Sequence, residues 1–179
     1  IAVMRDAREL HSEITVANET AETDALTGIA NRLRLSRIMQ EFLVSQSPFG
    51  LLFIDLKKFK PFNDQYGHEV GDRVLQIVAK RLQTQTRIED LASRFGGDEF
   101  VVILSGIKAD ESAVGRVSKI ADSLTRPFQI NELHGSVGVN IGVAFYPKDG
   151  ASEEKLLQVA DKNMYKAKNA GTGFHIQGI

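Results

Sequence analysis

Residues 91–104 read LASRFGGDEFVVIL, and this stretch decides the fold. Two segments that read as strands, 91–95 and 101–104, lie on either side of Gly96 and Gly97, and paired glycines supply the backbone conformations that a tight hairpin needs. The second segment is continuously apolar, which is typical of a strand buried on both faces of a sheet. The stretch therefore predicts two antiparallel strands with Asp98 and Glu99 at the turn between them.

Further elements extend outward from this hairpin in both directions. An apolar run predicts a buried strand over 51–54 that ends at Asp55, and a charged loop containing Pro61 and Gly67 is expected to follow it. The remaining patterns predict helices at 31–45, 74–82, 110–125 and 156–167, and strands at 137–145 and 174–176. Because the strands at 91–104 form a hairpin, this order predicts one α/β domain with a mixed or antiparallel sheet.

The first 22 residues carry a different pattern. Apolar residues recur there at alternating spacings of four and three, which is the stripe of a coiled-coil seam: Val3, Ala7, Leu10, Ile14, Ala17 and Ala21. Half of these are alanine, so the seam is weak, and the helix either packs on its own domain or pairs two copies of the chain. We therefore divide the chain into a helical linker at 1–22, which follows an upstream region, and a domain at 23–179.

Composition excludes several classes of protein. The 179 residues carry a formal net charge of −1, so no overall field attracts nucleic acid or an anionic membrane. There is no cysteine, which excludes disulfides and thiolate metal sites. No apolar run approaches the about 20 residues that span a bilayer, and the start does not resemble a signal peptide. We expect a cytoplasmic domain, with membrane contact only through an upstream region.

Three carboxylates lie where predicted buried strands end. Asp55 ends the first strand, and Asp98 and Glu99 lie at the hairpin. An unpaired charge is costly at a buried strand end, so these groups require a cation. Hard oxygen ligands suit Mg²⁺, which usually keeps waters and shares the phosphates of a substrate. The alternative is that each acid caps a turn and faces solvent.

Several ordered motifs resemble those of the GGDEF domain family. The central one is FGGDEF at 95–100, and upstream lies DLKKFKPFNDQYGHEVGD at 55–72. Residues 24–32, 141–144 and 160–168 are similar to the opening and later signatures of the family. The resemblance implies a palm-like nucleotidyl cyclase fold, with a central, mostly antiparallel five-stranded sheet flanked by helices. It also implies a diguanylate cyclase, which condenses two GTP molecules into cyclic di-GMP and pyrophosphate between the two domains of a homodimer.

The resemblance assigns roles to individual positions. Asp55, Asp98 and the backbone carbonyl of Leu56 would bind two Mg²⁺ ions, or Mn²⁺ instead. Glu99 would orient Lys60 or help to deprotonate the attacking hydroxyl. The remaining contacts to GTP are divided between base and phosphates: Asn63 and Asp72 would hold the guanine edge, while backbone N–H groups near Lys58 and Phe59, with the side chains of Lys60 and Lys168, would hold the phosphates.

A second site is implied just before the hairpin. Arg87 and Asp90 match the R-x-x-D inhibitory site of the family, at the family's offset from Gly96. Arginine binds phosphate or a guanine edge through two hydrogen bonds, and aspartate can accept from guanine. Cyclic di-GMP would therefore bind there and hold the domains in an unproductive arrangement. The alternative is an ordinary surface ion pair.

Two positions depart from the family pattern. Lys57 replaces the second aspartate of the D-x-D motif, and Thr172 replaces an arginine or lysine after the last helix. These departures keep open a degenerate module that binds GTP or cyclic di-GMP and acts as a regulatory sensor. A nucleotidyl cyclase with another base specificity is disfavoured by Asn63 and Asp72.

Overall fold

The computed structural model describes residues 21–177, so nearly all of the predicted linker helix lies outside the described residues. The helices of this range are α1 (Arg32–Val44), α2 (Phe59–Tyr66), α3 (His68–Gln85), α4 (Glu111–Thr125) and α5 (Glu153–Ala170). The strands are β1 (Phe49–Lys57), β2 (Leu91–Gly96), β3 (Glu99–Ser105), β4 (Phe128–Ile130), β5 (Leu133–Gly135), β6 (Gly138–Tyr146) and β7 (Phe174–Ile176). None of these helices is both long and apolar enough to cross a lipid bilayer.

Five strands form the central sheet in the order β2-β3-β1-β6-β7. The pairs β2·β3, β3·β1 and β1·β6 are antiparallel, and β6·β7 is parallel. This confirms the expected α/β fold with a mostly antiparallel five-stranded sheet. Beside the edge strand β2, Ala30 forms an isolated parallel bridge with Ser93 and accepts a hydrogen bond from the Arg94 N–H at 2.8 Å.

Helices cover both faces of the sheet, and the alternation of side chains along β1 divides the core between them. Leu52 and Ile54 point to the layer that contains α3 and α4. Leu51 and Phe53 point to the layer that contains α1 and α5. Burial on both faces explains why this strand reads as a continuous apolar run.

The largest difference from the sequence prediction follows Asp55. We expected the strand to end there and a charged loop to follow, which is wrong: β1 continues to Lys57, and α2 occupies 59–66. Pro61 is the third residue of α2. The N–H groups of a first helical turn have no partner within the helix, so proline costs no hydrogen bond there.

Helix α5 lies unusually close to β6 because of Gly142. A Cβ atom at Gly142 would overlap with the carbonyl oxygen of Ala160 and the backbone nitrogen of Met164. The buried Asn163 strengthens the same contact, since its Nδ2 donates to the Val143 carbonyl at 2.8 Å. This close packing places the C-terminal half of α5 next to the end of β1.

Candidate active site

Asp55 lies at the centre of a row of polar residues that crosses three strands. Its partner on β3 is Glu99 and its partner on β6 is Asn140. Directly opposed residues in a sheet point to the same face, and for these three it is the face that α5 covers. The row places the Asp55 carboxylate at the end of β1 beside that of Glu99 at the start of β3.

Two nitrogen atoms approach the same oxygen of Asp55. Asn140 Nδ2 donates to Asp55 Oδ2 at 3.2 Å, and Lys168 Nζ lies 3.4 Å from that oxygen. Asn140 is 1% exposed, so its amide is a fixed part of the structure. The sequence prediction included Lys168 but missed Asn140, because a single polar residue in a strand carries no signal of its partner.

The hairpin that carries Asp98 is fixed by hydrogen bonds on two sides. Leu56 N–H donates to the Asp98 carbonyl at 3.3 Å, which joins the hairpin to β1. Arg94 donates from Nε and Nη2 to the Gly97 carbonyl at 3.0 and 2.8 Å. The Nη1 of Arg94 also contacts both carboxylate oxygens of Asp24, at 3.2 and 3.3 Å.

The site is short of positive charge. Burial raises the pKa of Asp98 above that of an ordinary aspartate, and the negative charge of Asp55 raises it further. Burial also raises the pKa of Glu99, with added contributions from Asp98, Asp55 and Asp161. Lys168 opposes both shifts. Burial and like charges disfavour the ionised carboxylates, and a cation bound beside them would favour the ionised form again.

The donor set fits Mg²⁺ shared with a phosphate ligand. Within residues 21–177, no three His, Cys, Asp or Glu side chains already form a group that could hold a metal. Mg²⁺ does not require such a group, since it usually binds one or two carboxylates together with waters and phosphates. Asp55, Asp98 and the Leu56 carbonyl have the composition of such a site.

The predicted phosphate contacts lie at the start of α2. Lys58 precedes the helix with φ of 58°, and no side chain caps the helix start. The first N–H groups of α2 are therefore available to an anion. Phe59 is 7% exposed and stacks with Phe62 at 6.5 Å between ring centroids, which anchors this turn, while Lys60 is exposed.

The two predicted guanine contacts lie on adjoining helices. Asn63 belongs to α2 and Asp72 to α3. The side chain of Asn63 lies against Gly71, the residue before Asp72. The structure therefore brings the two positions close together, and a shared base contact stays a prediction.

The predicted inhibitory site differs between its two members. Arg87 is 66% exposed, whereas the Asp90 side chain is 0% exposed. Asp90 accepts hydrogen bonds from the N–H groups of Arg87 and Ser105 at 2.8 and 2.9 Å, and from Arg116 Nη2 at 2.8 Å. Arg116 was missed from the sequence because it lies on α4, 26 residues beyond Asp90.

Lys57 and Thr172, the two departures from the family pattern, each contact a neighbouring part of the fold. Lys57 lies opposite Gly138 on β6, and its Cδ is 2.9 Å from where a Cβ of Gly138 would be. Thr172 Oγ1 donates to the Phe174 carbonyl at 3.0 Å, within the turn that leads from α5 to β7.

The fold and the site define a palm-like α/β domain with an acidic site at the end of its central strand. Residues 21–173 match the family model described as diguanylate cyclase, GGDEF domain. The chain therefore belongs to the GGDEF domain family of diguanylate cyclases.

Three similar curated relatives are longer proteins, of which the chain spans between 22% and 36%. The chain is 36% identical over 152 residues to the bifunctional diguanylate cyclase/cyclic di-GMP phosphodiesterase MucR of Pseudomonas aeruginosa, covering 83% of this chain but only 22% of MucR. Among solved structures, a sensory box/GGDEF family protein from Caulobacter crescentus is 35% identical, with a TM-score of 0.75 and coverage of 84% of this chain and 99% of that chain. The coiled coil and GGDEF domain of DgcB from the same organism, in complex with c-di-GMP, is 25% identical, with a TM-score of 0.80 and coverage of 97% and 94%.

Proposed function

We propose that this chain condenses two GTP molecules into cyclic di-GMP and releases two pyrophosphates. The observation that supports this most strongly is the cluster of Asp55, Asp98 and Glu99. The negative charge of Asp55 disfavours ionisation of Asp98 and Glu99, and Lys168 Nζ lies 3.4 Å from Asp55 Oδ2. A site of this charge suits a substrate that brings metal-bound phosphates with it.

Asp55, Asp98 and the Leu56 carbonyl would hold Mg²⁺, or Mn²⁺ in its place. The cation would neutralise phosphate charge and make the attacking hydroxyl more acidic. Asn140, on the neighbouring strand, would hold the Asp55 carboxylate in position through its 3.2 Å hydrogen bond. The role of these side chains is then to fix the ligands before the substrate arrives.

The other residues bind and orient GTP. Asn63 and Asp72 would pair with the guanine edge, since an amide offers a donor and an acceptor and a carboxylate accepts from two guanine N–H groups. The N–H groups at Lys58 and Phe59, with the side chains of Lys60 and Lys168, would hold the phosphates.

The chemistry forms two phosphodiester bonds. In each, the 3′ oxygen of one GTP attacks the α-phosphorus of the other, and the bond from that phosphorus to pyrophosphate breaks. Glu99 would accept the hydroxyl proton or orient Lys60, and burial, together with the neighbouring Asp98, Asp55 and Asp161, raises its pKa. Because each domain would hold one GTP, turnover requires two domains face to face. Since the substrate is GTP, we place this domain in the cytoplasm.

Product analysis tests the proposal. The protein is incubated at several concentrations with GTP and Mg²⁺, and the nucleotides are identified by chromatography and mass spectrometry. We expect cyclic di-GMP, with a rate that rises as the square of protein concentration while the protein is mainly monomeric. Asp98→Ala should abolish turnover, whereas Asp122→Ala, on the exposed face of α4, should not. Wild-type activity retained by Asp98→Ala would refute the metal assignment.

A second function is favoured by Lys57 and Thr172. A lysine beside Asp55 and the loss of a cationic side chain after α5 are both expected to weaken the binding of metal-bound phosphate. The chain would then be a sensor that binds GTP or cyclic di-GMP without turnover. Binding of either nucleotide without any product, even at high protein concentration, would favour this function over the cyclase.

We also propose feedback by the product at Arg87. The exposed guanidinium of Arg87 and the largely buried one of Arg116 would bind cyclic di-GMP. The Asp90 side chain is fully buried, so it would hold Arg116 in place and not contact guanine itself. Arg87→Ala should then leave the initial rate unchanged and prevent the slowing of the reaction as product accumulates. An unaltered inhibition curve in this variant would count against the site.

A further inference from the structure

Gly71 occupies a position where glycine is unfavourable. It is buried near the start of α3, and its φ is not among the positive values of the chain. Glycine in a helix interior is less favourable than alanine because the unfolded chain loses more freedom. The backbone conformation therefore gives no reason for glycine here, and the reason must lie in the space beside it.

That space is filled by the amide group of Asn63. A Cβ atom at Gly71 would overlap with Asn63 Oδ1 and would lie 2.7 Å from Cγ and 3.2 Å from Nδ2. The overlap involves the far end of a flexible side chain, so it would be relieved by moving Asn63 and would not require a shift of either helix. Any side chain at position 71 therefore displaces the Asn63 amide.

The amide is not held there by hydrogen bonds of its own oxygen. Asn63 Oδ1 is buried and has no hydrogen-bond partner within residues 21–177. A buried polar atom without a partner is unfavourable. A position that costs free energy at both Gly71 and Asn63 is typical of a binding site, where function outweighs stability.

We infer that Gly71 is a positioning residue for the recognition of a guanine nucleotide. Its missing side chain admits the Asn63 amide next to Asp72, so that both groups face one base. This inference rests on the proposed function, in which Asn63 and Asp72 bind guanine. Gly71 itself touches no ligand and acts only through Asn63.

The inference predicts that Gly71→Ala moves stability and recognition in opposite directions. The matched control is Gly115→Ala, because Gly115 is also helical, in α4, and a Cβ there would meet nothing within 4 Å. We expect the control to raise the melting temperature by about 2–4 °C and Gly71→Ala to melt at or above the wild-type temperature. A purely structural role would instead give a clear fall in the melting temperature of Gly71→Ala.

Binding is measured by calorimetry with non-hydrolysable analogues of GTP and ATP, which do not require a productive dimer. Gly71→Ala should weaken binding of the GTP analogue about tenfold, the cost of about one hydrogen bond, and leave the ATP analogue unchanged. Gly115→Ala should bind both as wild type does. If Gly71→Ala binds the GTP analogue and the ATP analogue as tightly as wild type does, the inference is overturned.

A double-mutant cycle shows whether the effect passes through Asn63. In an Asn63→Ala background, adding Gly71→Ala should change the affinity for the GTP analogue less than twofold, because the displaced group is already absent. A further tenfold loss in that background would refute the positioning role.

NMR of the nucleotide-free protein separates this inference from the proposed function. The side-chain amide signals of Asn63 should shift in Gly71→Ala and stay in place in Gly115→Ala. If wild type binds no GTP analogue, the proposed function fails while the NMR shift still supports positioning of Asn63 by Gly71. Unmoved Asn63 signals in Gly71→Ala would overturn the inference whatever the protein binds.

Discussion

At the scale of single residues, the acidic site shows a conflict between stability and binding. Asp98 and Glu99 are held close to Asp55, and burial makes their charges costly. A carboxyl whose pKa is raised by folding stabilises the folded protein only while it is protonated. That stabilisation is lost as pH rises from the unfolded to the folded pKa. At neutral pH without metal, the site therefore weakens the fold.

Removing this charge should stabilise the metal-free protein. We expect Asp98→Asn to melt above wild type at pH 7 in the presence of a chelator, and the difference to vanish below the ordinary pKa of an aspartate. Thermal unfolding at the two pH values measures this. The exposed Asp122→Asn serves as the control and should show no such difference. A lower melting temperature of Asp98→Asn at pH 7 would contradict the raised pKa.

Asn140 is expected to orient Asp55, because its Nδ2 donates a 3.2 Å hydrogen bond to that carboxylate. Loss of a group that orients a metal ligand commonly lowers metal affinity or activity about 10–100-fold. We expect Asn140→Ala to raise the Mg²⁺ concentration for half-maximal turnover by at least about tenfold. Asn163→Ala removes another buried amide, bonded to Val143 instead, and should lower stability without this shift. Equal Mg²⁺ dependence in the two variants would show that Asn140 has no special role.

The motif residues of the site could be predicted, but the residues that hold them could not. Asp55, Asp98 and Lys168 each belong to a motif whose spacing is visible in the chain. Asn140 and Arg94 contact partners 85 and 70 residues away. Nothing local distinguishes a polar residue that makes such a contact from one that faces solvent.

At the scale of elements, the strands were more predictable than the segments between them. The continuous apolar runs of β1 and β3 are short and rich in β-branched and aromatic residues, which favours strands buried in a sheet core. Helix α2 was missed because Pro61 and Gly67 are typical of loops, although both lie at helix ends where they are tolerated. The hairpin β4·β5 was missed because its strands are three residues each and partly exposed.

The contact between α5 and β6 is the element pair most sensitive to one atom. Gly142→Ala adds a Cβ that overlaps with the backbone of α5, and backbone cannot rotate away as a side chain can. We expect a loss of about 1–3 kcal/mol in the free energy of unfolding, measured by urea denaturation. Gly115→Ala, with open space around it, should show no loss. Equal stabilities would mean that α5 adjusts without cost.

At the scale of the whole molecule, Arg94 joins the N-terminal turn to the hairpin. It binds Asp24 with one side of its guanidinium and the Gly97 carbonyl with the other. Its side chain is 15% exposed and that of Asp24 is 23% exposed. Through Arg94, the turn that contains Asp24 is therefore connected to the loop that carries Asp98.

This connection should appear as a coupling energy. A double-mutant cycle of Asp24→Ala and Arg94→Ala should give about 1–2 kcal/mol in urea unfolding, as for groups in one partly buried network. The control cycle uses Arg37 and Glu41, an i,i+4 pair with side chains 46% and 59% exposed, for which about 0.3–0.5 kcal/mol is expected. Similar values for the two cycles would refute the connection.

The bridge between Ala30 and Ser93 has a consequence for solubility. Strand β2 is the outermost strand on its side of the sheet, and an uncovered edge offers free backbone groups to other chains. Ala30 accepts the outward N–H of Arg94 and so occupies part of that edge. A version of the domain shortened to begin after Ala30 would expose this edge to other copies, and it would precipitate more readily even with every catalytic residue intact.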